Sequence, residues 1–280
     1  MTTAPERRRA IISLLLAAFL FSTGGLLIKL VQLSALAVAG GRSAIAALVI
    51  LLFIRRPKFN WSAAQIGGAL AYCGTVLFFV MANKMTTAAN AILLQYTAPV
   101  YIALLSSWLL KEHIKALDWV TIGLVLIGMT LFLLDGLSAG NWEGNAFALI
   151  SALCYALLAI MLRKQKDVSP YESVLLGNIL TAIIGLPAML GQRPSLNSVI
   201  GLLLLGVFQL GFAYILFARA TRYVTAMEIV LITAIEPILN PLWVVLTIGE
   251  KPSLLALIGG VIVLGAVVGR GILGSQIQKK

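Results

Sequence analysis

Charged residues are scarce in this sequence. Only 11% of its 280 residues are Asp, Glu, Lys or Arg, whereas 60% are hydrophobic. The mean hydropathy is +1.01. A soluble domain is about a quarter charged and about half apolar. A chain with so little polar surface cannot cover itself in water, so we expect it to be solvated by lipid.

Groups that carry catalysis or bind metals are also scarce. The sequence has one histidine, His113, and its three aspartates, Asp118, Asp135 and Asp167, fall at the ends of apolar runs. It contains no Walker-type GxxxxGK[ST] loop, no His/Glu zinc pattern and no mid-membrane aspartate pair. We therefore predict that the protein is not an enzyme and uses no cofactor or metal.

Acidic residues are outnumbered by basic ones, 10 to 21, which gives a formal net charge of +11. In a soluble protein such an excess suggests a nucleic-acid partner. Here the basic residues lie in short clusters between apolar runs, and the preference of cytoplasmic loops for positive charge explains them better. We expect no nucleic-acid partner.

Ten apolar segments can be marked along the chain: 10–30, 36–54, 62–82, 86–110, 117–134, 145–162, 171–190, 196–218, 226–248 and 254–272. Each is close to the ~20 residues that a helix needs to cross ~30 Å of hydrocarbon. Helices satisfy their own backbone hydrogen bonds within lipid. The predicted fold is therefore all-α and integral to the membrane, with ten transmembrane helices.

The basic residues then predict orientation. With the N-terminus in the cytoplasm, 16 of the 21 basic residues fall on that side, within 7–9, 55–58, 111–115, 163–166, 219–222 and 270–280. The opposite side receives four, Lys29, Lys84, Arg193 and Lys251, and Arg42 lies inside the second segment. This asymmetry predicts that both termini are cytoplasmic, in a multi-pass protein of the bacterial inner membrane.

One stretch of the chain occurs twice. Residues 86–118 match residues 224–256 without a gap at an offset of 138 positions. The identities are Thr87 with Thr225, Ala88 with Ala226, Leu93 with Leu231, Pro99 with Pro237, Leu104 with Leu242 and Glu112 with Glu250. The register also places Lys84 on Arg222 and, with small gaps, Lys29 on Arg163. The sequence predicts two repeats, 1–138 and 139–280, each of five helices.

Five is an odd number, so the second repeat must enter the membrane from the opposite side. The prediction is a 5+5 inverted repeat, an arrangement typical of secondary transporters. Pro99 and Pro237 interrupt the fourth and ninth segments, because proline removes a backbone hydrogen bond. Paired breaks of this kind indicate a binding site, although a purely structural kink explains them equally well.

Charges at membrane depth are costly and are expected to face a cavity or a partner. The candidates are Arg42, Glu228 and Glu236. We interpret Glu236 as a structural carboxylate that satisfies backbone donors freed by Pro237. Glu228 overlays Asn90 of the first repeat, and we expect it to be the carboxylate best placed for coupling to an ion.

Polar and aromatic residues recur on single faces of several segments, since helical neighbours are spaced by three, four or seven residues. The predicted substrate cavity is lined by Tyr72, Thr75, Phe79, Asn83, Asn90, Thr97, Tyr101, Tyr155, Gln209, Phe217 and Glu228. An aromatic wall with a few amides and hydroxyls suits a small zwitterion or an aromatic metabolite. Ordinary packing residues remain the alternative interpretation.

These features resemble the EamA branch of the drug/metabolite transporter superfamily. The resemblance rests on the repeat, on the A-x-x-A-x-x-L pattern at 88–94, on the two prolines and on the Gly-rich runs at 122–129 and 258–269. It implies a secondary transporter with the third, fourth, eighth and ninth helices around a central cavity. Similarity to bacterial YddG-type exporters implies export of amino acids, aromatic ones included.

Distantly related small multidrug pumps carry a proton-binding glutamate in the first helix, and this first segment has none. Their antiport mechanism is therefore not transferred here. The leading rival is a multidrug efflux transporter, and a membrane enzyme or receptor is a remote one. The expected partners are a small-molecule substrate and the lipid bilayer. The spacing of Gly265 and Gly269 leaves monomer and homodimer open.

Overall fold

The computed structural model describes residues 4–109, 116–138, 141–249 and 252–277, and these residues contain helices but no strand. We number the helices α1–α10 and treat pieces that continue one another as one element. The first five are α1 (Ala4–Ser22 and Gly24–Leu30), α2 (Ala35–Ile54), α3 (Ala63–Met85), α4 (Ala88–Gln95 and Ala98–Leu109) and α5 (Ala116–Ser138). The others are α6 (Trp142–Lys164), α7 (Tyr171–Leu190), α8 (Leu196–Leu204, Leu205–Phe212 and Ala213–Ala220), α9 (Ala226–Ile232, Thr233–Ile235 and Glu236–Ile248) and α10 (Leu254–Ile277).

Eight of these helices are long and apolar enough to cross a membrane. In α5 and α10 the described apolar stretches are shorter, Trp119–Gly128 and Leu254–Arg270. The molecule is therefore an all-helical, multi-pass membrane protein, as predicted. The count of ten crossings and the cytoplasmic location of both termini stay predictions.

Serine and threonine residues define where several helices begin. The side chains of Ser34, Ser62, Thr87 and Ser195 accept hydrogen bonds from backbone N–H groups in the first turns of α2, α3, α4 and α8, respectively. An N-cap of this type satisfies one of the four donors that a helix start leaves unpaired. The short polar connections between the apolar runs thus set the helix boundaries.

The outer surface of the helix bundle is apolar. Large side chains such as Leu52, Trp108 and Leu190 are exposed by 76%, 79% and 80%. In water such exposure would be costly, but hydrocarbon solvates these side chains. The apolar surface is what a bilayer-embedded protein requires.

The main helix contacts have equivalents in the two predicted repeats. Helix α3 packs against α6 and α7, whereas α8 packs against α1 and α2. Helix α2 packs against α7, and α5 packs against α10. At the α2–α7 contact the backbones meet, since a Cβ added to Gly185 would lie 2.5 Å from the Cα of Gly40. Only glycine fits at such a crossing.

Two lysines hold the connection between α1 and α2 against the end of α3. The Lys29 ammonium donates to the Thr86 carbonyl at 3.0 Å, and the Lys84 ammonium donates to the Val31 carbonyl at 2.7 Å. Each ammonium group therefore satisfies a carbonyl just beyond the end of the helix that carries the other lysine. We call Lys29 and Lys84 the lysine pair.

Two arginines make the matching contacts in the second half. Arg163 Nη1 donates to the carbonyls of Thr221 and Arg222 at 3.1 Å each. Arg222 Nη2 donates to the Val168 carbonyl at 2.7 Å. We call Arg163 and Arg222 the arginine pair, and its members are the residues that the repeat superposes on Lys29 and Lys84.

Candidate functional site

Four helices are interrupted near the centre of the bundle. Helix α4 breaks at Tyr96 and Thr97, just before Pro99, and α9 tightens into a 3-10 turn at Thr233–Ile235, just before Pro237. Helix α8 contains a π-helical stretch, and α1 breaks at Thr23. Prolines explain the first two interruptions. Such irregular backbone at membrane depth is typical of places that line a cavity.

A narrow cavity with a volume of about 30 Å³ lies among these helices. Its lining residues are Phe21, Arg42, Thr75, Val76, Phe79, Gln95, Tyr155, Gln209, Leu210, Tyr214 and Glu236. They come from α1, α2, α3, α4, α6, α8 and α9, so the cavity is central to the bundle. A space of this volume holds a few water molecules at most, so a larger ligand fits only when the helices move apart.

Arg42 brings a cation into this cavity. The residue is 1% exposed, and its Nη1 donates to Gln209 Oε1 at 3.0 Å, while Nη2 lies 3.4 Å from the Val76 carbonyl. Its Nε has no hydrogen-bond partner among the described residues. A guanidinium buried without a carboxylate is costly. Such a group is expected to serve a binding function.

Glu236 brings a carboxyl group to the same cavity. It is 6% exposed, and its Oε2 lies 2.9 Å from the Tyr96 hydroxyl. The expected role in satisfying backbone donors near Pro237 differs from this geometry, because the bonded partner is a side chain of α4. Arg42 and Glu236 form no ion pair with each other in the described part of the chain.

The uncharged part of the lining is aromatic and amide-rich. The Tyr214 ring packs edge-on against Phe21 at 4.8 Å and against Tyr72 at 4.6 Å between centroids. Gln95 Nε2 donates to Ser151 Oγ at 2.6 Å, and that hydroxyl donates to the Thr75 carbonyl at 3.0 Å. These hydrogen bonds fix the side of the cavity formed by α3, α4 and α6.

Two glycines let α1 approach the polar residues of this region. A Cβ added to Gly24 would lie 2.9 Å from Gln209 Nε2, and one added to Gly25 would collide with Asn240 Oδ1. The missing side chains leave room for these amides beside the α1 break. The amide that hydrogen-bonds Arg42 is therefore positioned partly by the Gly24 backbone.

Four predicted cavity residues, Thr75, Phe79, Tyr155 and Gln209, line the cavity. Two more predicted residues, Tyr72 and Phe217, pack next to the lining residues. The Tyr72 hydroxyl donates to Asn178 Oδ1 at 3.0 Å, and the Phe217 ring lies 6.0 Å from that of Tyr155. These six residues form one continuous region.

Four other predicted cavity residues are placed outside the lining. Asn83 is buried and donates to the Phe79 carbonyl, and Thr97 donates to the Leu94 carbonyl at the α4 break. Asn90 is buried in the first turn of α4, whose N-cap is Thr87. Tyr101 is partly buried against the hydrophobic core.

The expectation that Glu228 lines the cavity is not met by the geometry. Its Oε2 accepts from the Thr225 backbone N–H at 2.9 Å, while the Glu228 N–H donates to Thr225 Oγ1 at 3.2 Å. This is a capping box, which pairs two donors at a helix start. Its Oε1 forms an ion pair of 2.7 Å with Arg7. Glu228 therefore caps the start of α9 together with Thr225 and ties α9 to the N-terminal end of α1.

Three residues of the cavity lining, Arg42, Glu236 and Tyr214, were absent from the predicted cavity set. Arg42 and Glu236 were visible as intramembrane charges, but neither was assigned to the cavity. Tyr214 was not predicted because the π-helical stretch Leu205–Phe212 changes the register of α8. As a result, Gln209 and Tyr214 line the same cavity although they are five residues apart. Glu112, His113 and Glu250 lie outside the described residues.

A multi-pass helical bundle with a central polar cavity and broken helices defines a class of protein, the membrane transporters. The EamA-like transporter family matches this chain at residues 8–134 and again at 142–270. The chain belongs to the EamA-like transporter family and is a transporter of the drug/metabolite type.

Individual relatives are also described as transporters. An uncharacterized transporter of Archaeoglobus fulgidus is 29% identical over 259 residues, which cover 91% of this chain and 94% of that protein. The uncharacterized transporter YdfC of Bacillus subtilis is 28% identical over 212 residues, which cover 71% of this chain and 68% of that protein. A solved crystal structure has a TM-score of 0.72 at 20% identity and covers 95% of this chain and 98% of its own.

Proposed function

We propose that the protein is a secondary transporter that exports amino acids, aromatic ones included, and related small metabolites across the inner membrane. The observation that carries this proposal is the charge content of the cavity. A buried guanidinium, Arg42, and a buried carboxyl, Glu236, line one space without pairing to each other. An amino acid brings a carboxylate and an ammonium, which are the complementary groups.

The aromatic wall supports the same substrate class. Phe21, Phe79, Tyr155 and Tyr214 face the cavity, and aromatic rings contact planar side chains favourably. A multidrug efflux transporter is the second candidate, because aromatic cavities also bind lipophilic cations. The buried Arg42 counts against it, since its charge repels a cation in a medium of low dielectric constant.

Binding to the purified protein separates the two candidates. We expect amino acids to bind with micromolar to millimolar dissociation constants, roughly 4–8 kcal/mol, because an exported substrate must also leave. A lipophilic cation such as tetraphenylphosphonium should not compete. Tight binding of the cation, together with no detectable amino-acid binding, would favour drug efflux.

Alternating access between two inverted repeats is the mechanism that we propose. The pairwise helix packing supports it, since exchanging the halves 1–138 and 139–280 maps each main helix contact either onto another one or onto itself. The lysine and arginine pairs support it as well. Consecutive helices run in opposite directions, so the end of α1 and the end of α6 belong to opposite membrane faces. Each membrane face then carries one cation pair, and that pair holds the ends of two helices together.

Phe79→Ala should shift substrate preference away from aromatic amino acids. Loss of the ring contact should weaken their binding roughly 2- to 10-fold relative to alanine or valine. Phe78→Ala is the matched control, because Phe78 stacks on Phe147 rather than lining the cavity. Competition against a labelled amino acid measures the preference. A large drop in melting temperature with unchanged preference would make Phe79 a packing residue.

The inverted arrangement of the repeats predicts which introduced cysteines can be labelled from outside the cell. In a variant whose Cys73 and Cys154 are replaced by alanine, Asn141→Cys should react with a membrane-impermeant maleimide in intact cells. Lys166→Cys should react only after the cells are permeabilised, because its loop is rich in basic residues and is predicted to be cytoplasmic. The reverse pattern would overturn the orientation.

A further inference from the structure

The Tyr96 hydroxyl lies between two oxygen atoms. Its distance to the Thr233 carbonyl oxygen is 2.6 Å, and its distance to Glu236 Oε2 is 2.9 Å. A hydroxyl group has a single proton to donate, and a carbonyl oxygen has none. When Tyr96 donates to the nearer oxygen of Thr233, a protonated Glu236 can supply the hydrogen of the second contact. A neutral Glu236 carboxylic acid therefore satisfies both short contacts at once.

We propose that Glu236 is the proton-binding site of this transporter, and that a proton and the ammonium group of the substrate compete for its carboxyl group. The inference rests on the proposed function, because it uses the same cavity. Binding of the ammonium displaces one proton from Glu236, and release of the substrate allows the carboxylate to take up another. Export of one substrate is thereby exchanged for entry of one proton.

The surroundings of Glu236 favour the neutral acid when the cavity is empty. The titratable groups that face it are Tyr96 of α4, Tyr155 of α6 and Tyr214 of α8, with Arg42 of α2 in the same cavity. Helix α1 contributes the apolar Phe21. Arg42 is directed to Gln209 and Val76 and forms no ion pair with Glu236 among the described residues. The carboxyl group is therefore buried without an opposite charge, which disfavours its ionised form.

Helix α10 adds no competing group near this point. The single titratable residue within Leu254–Ile277 is Arg270, in the last third of that helix. The cavity lining contains no other carboxyl group within the part of the chain that the structure describes. A proton that enters the cavity has one carboxylate to bind.

Loss of the proton changes the contacts of both helix breaks. An ionised Glu236 accepts only, so the Tyr96 O–H must turn to it and leave the Thr233 carbonyl without that donor. Tyr96 is the C-cap of the first half of α4, and Thr233 begins the 3-10 turn of α9. One proton thus decides whether the two interrupted helices are joined by the Tyr96–Thr233 hydrogen bond.

The site is present in one repeat only. At the offset of 138 residues that relates the two repeats, position 236 corresponds to position 98, which is Ala98. The duplicated fold therefore supplies a single carboxyl group at this depth. This asymmetry supports one proton for each transport cycle rather than two.

Infrared difference spectroscopy tests the protonation without any substrate. At neutral pH the wild-type protein should show a protonated carboxyl band that disappears at high pH and is missing in Glu236→Gln. Glu172→Gln is the matched control, because Glu172 is buried but accepts from the Lys58 backbone N–H outside the cavity. Its spectrum should keep the band. A spectrum of Glu236→Gln that also keeps the band would overturn the proposal.

Tyr96→Phe serves as a second variant that retains the carboxyl group. Removing the hydroxyl should shift the Glu236 band to higher frequency, because the acid loses its hydrogen-bond acceptor. An unshifted band would contradict the assigned geometry, even if Glu236→Gln fails to fold.

Flux in proteoliposomes tests coupling. With the membrane potential clamped at zero, a pH difference of one unit should sustain a roughly tenfold concentration ratio of amino acid across the membrane. Glu236→Gln should abolish the accumulation. Saturable flux that only equilibrates the amino acid, with a concentration ratio near one at every pH difference, would overturn proton coupling. A carboxyl band in the spectrum together with no amino-acid flux would instead refute the proposed substrate and leave the proton site standing.

Discussion

Arg42→Met should weaken amino-acid binding roughly 10- to 100-fold, because a hydrogen bond to a charged group contributes about 1.5–3 kcal/mol. Arg42 is the one cation in the cavity lining of the described chain, and Gln209 positions it there. Methionine has a similar length and no charge, so the cavity keeps its shape. Isothermal titration of the purified variant with an amino acid measures the change.

The unfolding temperature separates a binding role from a structural one. An unpaired buried charge does not stabilise the fold, so Arg42→Met should unfold at or above the wild-type temperature. Arg193→Met is the matched control, since Arg193 is exposed and the change removes the same charge. Its affinity should equal that of the wild type. If Arg42→Met unfolds much earlier and binds amino acids normally, the guanidinium is a structural group.

Gly185→Ala should destabilise the fold by about 1–3 kcal/mol, the usual cost of overpacking. The added methyl group would lie 2.5 Å from the Gly40 Cα and 2.6 Å from the Leu36 carbonyl oxygen, both of which are backbone atoms. Backbone cannot rotate away as a flexible side chain does. The α2 and α7 helices would have to separate, and thermal unfolding in detergent would register the loss.

Gly123→Ala is the control for helix propensity. A Cβ at Gly123 has no atom within 4 Å, so the same substitution should leave stability unchanged or raise it by up to about 1 kcal/mol. Equal melting temperatures for the two variants would show that the α2–α7 crossing tolerates a wider spacing than the structure describes.

Much of the fold was predictable, because lipid imposes a simple rule on sequence. A run of about 20 apolar residues must be a helix in hydrocarbon, and the segments at 36–54, 171–190 and 226–248 lie within a residue of helices in the structure. The prolines marked the interruptions of α4 and α9. The break at Thr23, directly before Gly24 and Gly25, and the π-helical stretch of α8 were not predicted, because glycine weakens a helix without marking where it is interrupted.

The site was predicted less completely than the fold. Helical spacing found Thr75 and Phe79 on one face of α3, but it cannot say which polar residues meet across helices. Glu228 and Glu236 illustrate the limit. Both are glutamates within one apolar segment, yet the first caps a helix start beside Arg7 and the second lies in the cavity beside Tyr96. Only the depth and the rotation of α9 distinguish them.

Transport by the purified protein in liposomes tests the central claim most directly. A panel of labelled amino acids would be loaded, and flux would be measured for the wild type and for Arg42→Met. We predict saturable flux of aromatic and other zwitterionic amino acids. Unlabelled amino acids should inhibit this flux, tetraphenylphosphonium should leave it unchanged, and Arg42→Met should require a much higher amino-acid concentration to reach it. Flux of the cation with no flux of any amino acid would contradict the account and favour drug efflux.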